Sequence, residues 1–168
     1  MKVYHAVLDQ LIGSGVEYFS GMIGSTSAPY AATLADRNDM RYVGVRHEQT
    51  AAAILDATGR LTGKPGCLMV HGASGLLAAS AGIASAALDS TPMFVLSATQ
   101  ERRAMENGWW QTMNVQTPLR DVLKWQRRAE RPDQAVEAVR RALRETVSGK
   151  PGIAQVDLPI DVSADDLG

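Results

Sequence analysis

Three short runs constrain this chain more than anything else in it: CLMVH (67–71), PMFVLSA (92–98) and GIAQVDLP (152–159). Each is nearly continuous in apolar residues, too short for a buried helix, and bounded by Gly or Pro. Such runs are strands covered on both faces. Between them lie helix-forming stretches. EQTAAAILDATGRLTG (48–63) ends at Gly63, Lys64 and Pro65, and GLLAASAGIASAALDS (75–90) is built of small residues. PDQAVEAVRRALRETVSG (132–149) is strongly amphipathic, with Pro132 near its start and Gly149 past its end. Weaker strand signals, VEYFSG (16–21), MRYVGV (40–45) and VLKWQRRA (122–129), complete the alternation, with helices expected over the first residues and over YAATLADR (30–37). Alternating strands and helices of this kind predict an α/β fold of three layers, α/β/α, around a mainly parallel central sheet of about six strands.

Length and charge narrow the class. At 168 residues the chain is one domain with a full core. A formal net charge of −1 and the lack of a basic stretch argue against nucleic acid or an anionic membrane as partner. The single cysteine, Cys67, allows no internal disulfide, and the N-terminus has no signal-peptide core. No apolar run nears the ~20 residues of a membrane span. A cytoplasmic protein is the expectation. The domain is expected to run over residues 1–162, with 163–168 a frayed tail. The small-residue helices imply very close packing, against the sheet or against a second copy.

Ligands of an open parallel sheet bind at the carboxyl ends of its strands. Three stretches end strands here: GMIGS (21–25), RHEQ (46–49) and HGASG (71–75). Gly24, Gly72 and Gly75, with Gly21, permit close approach of backbone to a ligand, and Ser25, Glu48 and His71 are the reactive groups. Each has a plainer reading. Glu48 suits the positive end of a helix dipole, His71 suits a satisfied near-core position, and Ser25 suits a self-bonded loop. Arg46 and His47 suit a solvated strand end. Neither glycine pattern is a phosphate-binding fingerprint, and His5, His47 and His71 lack metal-ligand spacing, so no metal ligand is expected. Trp109 and Trp110 either wall a pocket or cover the core.

Taken together, VRHEQTAAAILDATGRLTGKPG (45–66), LDSTPMFVLSA (88–98), VQTPLRDVLKWQ (115–126) and SGKPGIAQVDLPIDV (148–162) resemble the N-terminal pyrimidine-binding (Pyr) domain of thiamine diphosphate (ThDP) enzymes. That superfamily includes acetohydroxyacid synthases and the pyruvate, benzoylformate and sulfopyruvate decarboxylases. The resemblance implies that Glu48 hydrogen-bonds N1′ of the cofactor aminopyrimidine, favouring the 4′-imino tautomer that takes the C2 proton; the carbanion chemistry is the cofactor's. It places Gly24, Gly72 and Gly75 against the cofactor. GMIGS is similar to the G-x-P-G-S loop of benzoylformate decarboxylase-like members, with Ser25 at their active-site serine. MVHGASG is similar to their L-H-S-x-x-G, with His71 at their proton-transferring histidine. TQERRAM (99–105) is also similar to that branch. Ile23 stands where Pro is usual, and Gly72 where Ser is. Trp110 and Gln111 resemble a synthase-like F-Q pair and would line the substrate pocket.

The family's pyrophosphate-binding (PP) domain carries a G-D-G…N motif that holds Mg²⁺ and the diphosphate, and no GDG occurs in these residues. The resemblance therefore implies the Pyr subunit of a split enzyme, most simply a Pyr₂PP₂ heterotetramer, acting on a small 2-oxo acid by decarboxylation or carboligation. The alternative is a non-catalytic Pyr-like domain that regulates or scaffolds another ThDP enzyme.

Overall fold

The computed structural model describes all 168 residues. Six strands form one sheet: β1 (Tyr18–Gly21), β2 (Arg41–Gly44), β3 (Gly66–His71), β4 (Met93–Thr99), β5 (Trp125–Arg128) and β6 (Ile153–Pro159). Their order is β2-β1-β3-β4-β6-β5, and every pairing is parallel. The helices are α1 (Val3–Gly13), α2 (Ala28–Ala35), α3 (Glu48–Thr62), α4 (Gly72–Leu88), α5 (Arg102–Glu106), α6 (Pro132–Val147) and α7 (Ile160–Ser163). The short α5 and α7 fall where the sequence shows no helical period, being barely a turn long. No helix is long and apolar enough to cross a membrane.

Crossover handedness explains the layers. A right-handed β–α–β unit puts its helix on one face when the chain steps one way along the sheet and on the other face when it steps back. The steps β1 to β2 and β5 to β6 run one way, and their helices, α2 and α6, join α1 in one core with Phe19, Cys67, Met69, Phe94, Leu96, Ala154 and Val156. The steps β2 to β3 and β3 to β4 run the other way. Their helices, α3 and α4, form the opposite core with Leu68, Val70, Met93 and Val95. The alternation within β3, Cys67 and Met69 to one side and Leu68 and Val70 to the other, is the period of two that a doubly covered strand requires. The long β4-to-β5 connection steps the same way as the α3 and α4 units and, past the short α5, covers that face with Val115 and Leu119 of an irregular stretch.

Small residues let α3 and α4 touch closely. A methyl group added at Gly82 of α4 would lie 2.6 Å from Ala52 Cβ on α3; one at Gly59 of α3 would lie 2.5 Å from Thr91 Cγ2, in the link between α4 and β4. The close packing expected of the small-residue helices is thus between the two helices themselves. Large side chains fill the other core, where Val7, Leu8 and Leu11 of α1 are fully buried, each contributing about 1.5–3 kcal/mol.

The tail expected to fray does not. Ser163 is buried and its hydroxyl bonds the Tyr30 hydroxyl at 2.8 Å. Val3 N–H donates to the Asp165 carbonyl, Leu167 N–H donates to the Met1 carbonyl, and Lys2 pairs with Asp166. The end of β6 delivers the tail beside the start of α1, so each terminus supplies hydrogen bonds the other lacks.

Candidate functional site

The carboxyl ends of β1, β2 and β3 lie side by side, so the three stretches singled out in the sequence converge on one shelf. Glu48 is the first residue of α3, which begins where β2 ends. His47 caps that helix: its ring Nδ1 accepts the Gln49 N–H at 3.2 Å. The carboxylate of Glu48 is half-buried and lies against α4, where a methyl added at Gly75 would be 3.2 Å from Oε1. Any larger residue at position 75 would push the carboxylate away. Unlike Asp56, which pairs with Arg60 on the same helix, Glu48 forms no ion pair within the chain.

His71 ends β3 and precedes α4. Its ring is clamped from the loop after β1: a methyl at Gly24 would sit 2.3 Å from the imidazole Cγ. On the same loop Thr26, 2 % exposed, places its hydroxyl 2.6 Å from His71 Nδ1 and also bonds the Ala98 carbonyl at the end of β4. Burial holds His71 below its ordinary pKa, while the Gln111 side chain and the Glu48 charge pull the other way. Glu48 and His71 therefore feel one another across the shelf.

The other expected residues are distributed unevenly. Ser25 lies on the same loop but is exposed, while its neighbour Thr26 turns inward to His71. Gly72 adopts a positive φ of 56° and faces Gln111, whose own φ is 57°; a methyl at Gly72 would be 3.1 Å from Gln111 Oε1. That oxygen is buried without a hydrogen-bond partner, while the Gln111 amide nitrogen donates to Ser74 Oγ at 3.0 Å. Trp109 and Trp110 are 57 % and 74 % exposed, so neither covers the core. Thr26 and Ser74 were not legible as site residues, because a Ser-Thr-Ser loop gives no sign of which hydroxyl faces in. A cavity of ≈ 430 Å³ beside α1 and α2 includes Tyr4, His5 and Pro29, and none of the site residues lines it.

Beyond the shelf, the ends of β4, β5 and β6 are closed by charge pairs. Asp157, 1 % exposed, receives the Thr99 hydroxyl at 2.5 Å and Arg128 Nη1 at 2.7 Å. Burial pushes the Asp157 carboxyl up, and Arg128 and Thr99 oppose that. Arg102 at the start of α5 binds Asp161 at 2.7 Å and the Glu130 carbonyl at 2.8 Å.

Residues 1–119 match the family described as "Thiamine pyrophosphate enzyme, N-terminal TPP binding domain". The chain belongs to the thiamine pyrophosphate enzymes. It is their N-terminal, pyrimidine-binding domain. Over 162 residues it is 30 % identical to oxalyl-CoA decarboxylase of Escherichia coli, covering 95 % of this chain and 28 % of that protein. It is 30 % identical to 2-hydroxyacyl-CoA lyase 1 of Mus musculus over 146 residues, 87 % of this chain and 25 % of the relative. A probable acetolactate synthase large subunit of Methanocaldococcus jannaschii is 28 % identical over 162 residues, 96 % of this chain and 27 % of the relative. The chain thus spans little more than a quarter of the length of these relatives.

The shelf of this Pyr domain suits an aminopyrimidine. The ring is flat and polar-edged, and the shelf offers an unpaired carboxylate at Glu48 and an orphaned buried acceptor at Gln111, each packed against a glycine, Gly75 and Gly72.

Proposed function

We propose that this Pyr domain is one subunit of a split ThDP-dependent enzyme that decarboxylates, or joins to a second carbonyl compound, a small 2-oxo acid. Glu48 holds a hydrogen bond at N1′ of the aminopyrimidine. His71 moves protons to and from the reacting substrate, and Ser25 orients its carboxylate at the mouth. Trp110 and Gln111 line the substrate side, and Gly24, Gly72 and Gly75 admit the cofactor. A PP subunit holds the diphosphate and Mg²⁺, in the simplest case as a Pyr₂PP₂ heterotetramer. When bound, ThDP supplies the carbanion that breaks or makes the bond beside a carbonyl, the chemistry shared by a decarboxylase, a lyase and an acetolactate synthase.

The observation that carries this reading is the Glu48 carboxylate resting on Gly75, with no ion-pair partner of its own and its charge acting on His71. A scaffold has no use for that arrangement. A carboxylate at a helix start needs no glycine opposite it to enjoy the helix dipole.

Calorimetry separates the parts. The 168-residue chain alone should bind ThDP weakly or not at all, and tightly with its PP partner and Mg²⁺; sub-micromolar binding by the chain alone would sink the split-site reading. In the reconstituted enzyme Glu48→Gln, which keeps the shape and removes the acid, should slow exchange of the cofactor C2 proton by orders of magnitude with folding unchanged. A wild-type exchange rate would reduce Glu48 to a helix-start residue.

A further inference from the structure

His71 has two ring nitrogens, and the loop after β1 decides which of them carries the proton. The Thr26 hydroxyl has one hydrogen and two neighbours: the Ala98 carbonyl oxygen and His71 Nδ1, the latter at 2.6 Å. A carbonyl oxygen can only accept. Thr26 therefore gives its hydrogen to Ala98 and has only a lone pair left for the ring. The bond to His71 is complete only when Nδ1 carries a proton. We propose that Thr26 is a positioning residue that locks neutral His71 in its Nδ1–H tautomer and so makes Nε2 the ring's proton acceptor.

One contact opposes this. The Thr26 backbone N–H also approaches Nδ1, from 3.4 Å, and would favour the other tautomer. That distance is beyond the usual ~2.7–3.2 Å of an N–H hydrogen bond, whereas the hydroxyl contact is short, and the hydroxyl wins.

A second observation points the same way. Gln111 Oε1 is buried and unpaired, although its side chain stands near enough to His71 to favour the charged ring. Nδ1 is taken by Thr26, and Nε2 is the ring nitrogen with no hydrogen bond in the chain. A neutral ring of the proposed tautomer has a lone pair at Nε2 and no hydrogen to give, so the amide oxygen stays orphaned. A proton arriving at Nε2 supplies the missing donor. Glu48, from α3, is the charged group acting on the ring, and it favours the same proton. The loop after β1, β4 and the Gln111 segment contribute neutral groups. Thr26, Gln111 and Glu48 together set His71 to take up one proton, at one atom.

The proposal deepens the role given to His71 above and rests on that reading for its consequence, but the tautomer is a property of this chain alone. The full chain with ¹⁵N-labelled histidine, held above the His71 pKa, reports it directly through the two ring-nitrogen shifts, with His5 and His47 assigned by substitution. The wild type should show a protonated Nδ1 and a bare Nε2. Thr26→Val, similar in shape and without the hydroxyl, should move the population toward Nε2–H, and Thr26→Ser should restore the wild-type pattern. Gln111→Leu should lower the His71 pKa without changing the tautomer. A bare Nδ1 in the wild type overturns the proposal even if Thr26→Val does not fold, and so does an unchanged tautomer in a folded Thr26→Val. In the reconstituted enzyme Thr26→Val should shift the acid limb of the kcat/KM profile while Thr26→Ser does not. A shifted tautomer with an unmoved profile would count against the catalytic role of His71 and leave the tautomer assignment standing.

Discussion

The carboxyl edge of the sheet has two halves that handle charged groups in opposite ways. At the ends of β4, β5 and β6, charge is met from within the chain: buried Asp157 by Arg128 and Thr99, and the more exposed Asp161 by Arg102. At the ends of β1, β2 and β3, the Glu48 carboxylate is unpaired and the Gln111 oxygen is buried without a partner. The glycines there let His71, Gln111 and Glu48 pack where a single methyl group would crowd them. Leaving a buried polar group unsatisfied costs about 1–3 kcal/mol. Buried oxygens of Gln126 and Gln155, on β5 and β6, also lack partners, so the contrast lies in the charges: Asp157 is paired from within, and Glu48 is left for something else to complete.

The largest expected break in this contrast is at Asp157. Replacing it with Ala leaves Arg128, 16 % exposed, with Glu130 as its one remaining carboxylate and the Thr99 hydroxyl without its acceptor, which should cost about 1.5–3 kcal/mol of folding stability. Glu48→Ala, in the open half, should change stability by no more than about 0.5 kcal/mol. Urea unfolding of both variants checks the pair. Equal losses would mean that Glu48 is as structural as Asp157.

Gly24→Ala tests how tightly the open half is held. Its methyl must displace the His71 ring, so a loss of about 1–3 kcal/mol is expected from overpacking, with the ring-nitrogen shifts of His71 altered. A variant as stable as wild type with an unmoved ring would show the loop to be slack, and Thr26 could then impose no tautomer.

The smallest effect concerns pH. Burial lowers the folded-state pKa of His71 from 6.5, so the neutral ring stabilises the fold. That contribution is complete above about pH 6.5, the unfolded value, and is lost as pH falls through the folded value. His71→Gln should therefore flatten the decline in stability between neutral pH and the folded pKa. A decline as steep as wild type would place the responsible group elsewhere.

Much of the fold could be read in advance because burial writes itself into composition. CLMVH, PMFVLSA and GIAQVDLP became β3, β4 and β6, and the stretch starting at Pro132 became α6, since a strand covered on both faces carries little charge and must pair what it carries, as Asp157 is paired with Arg128. The edge strands were less legible. β2 and β5 are four residues each and half-exposed, so their apolar signal is diluted and their expected ends overran. The tail was misread because its partners are the first residues of the chain, 164 positions away in the case of Lys2 and Asp166.

The site divides along the same line. The sequence by itself determined that Glu48 opens a helix just past one strand and that His71 ends another, because strand ends and helix starts are local events set by neighbouring residues. It could not determine that Thr26, and not Ser25, reaches the imidazole. Adjacent residues in a turn point in different directions, and which one faces inward depends on where Ala98, on a strand 72 residues further along, presents its carbonyl. Only the order β2-β1-β3-β4 brings those ends together, and that order follows from which helices cover which face of the sheet.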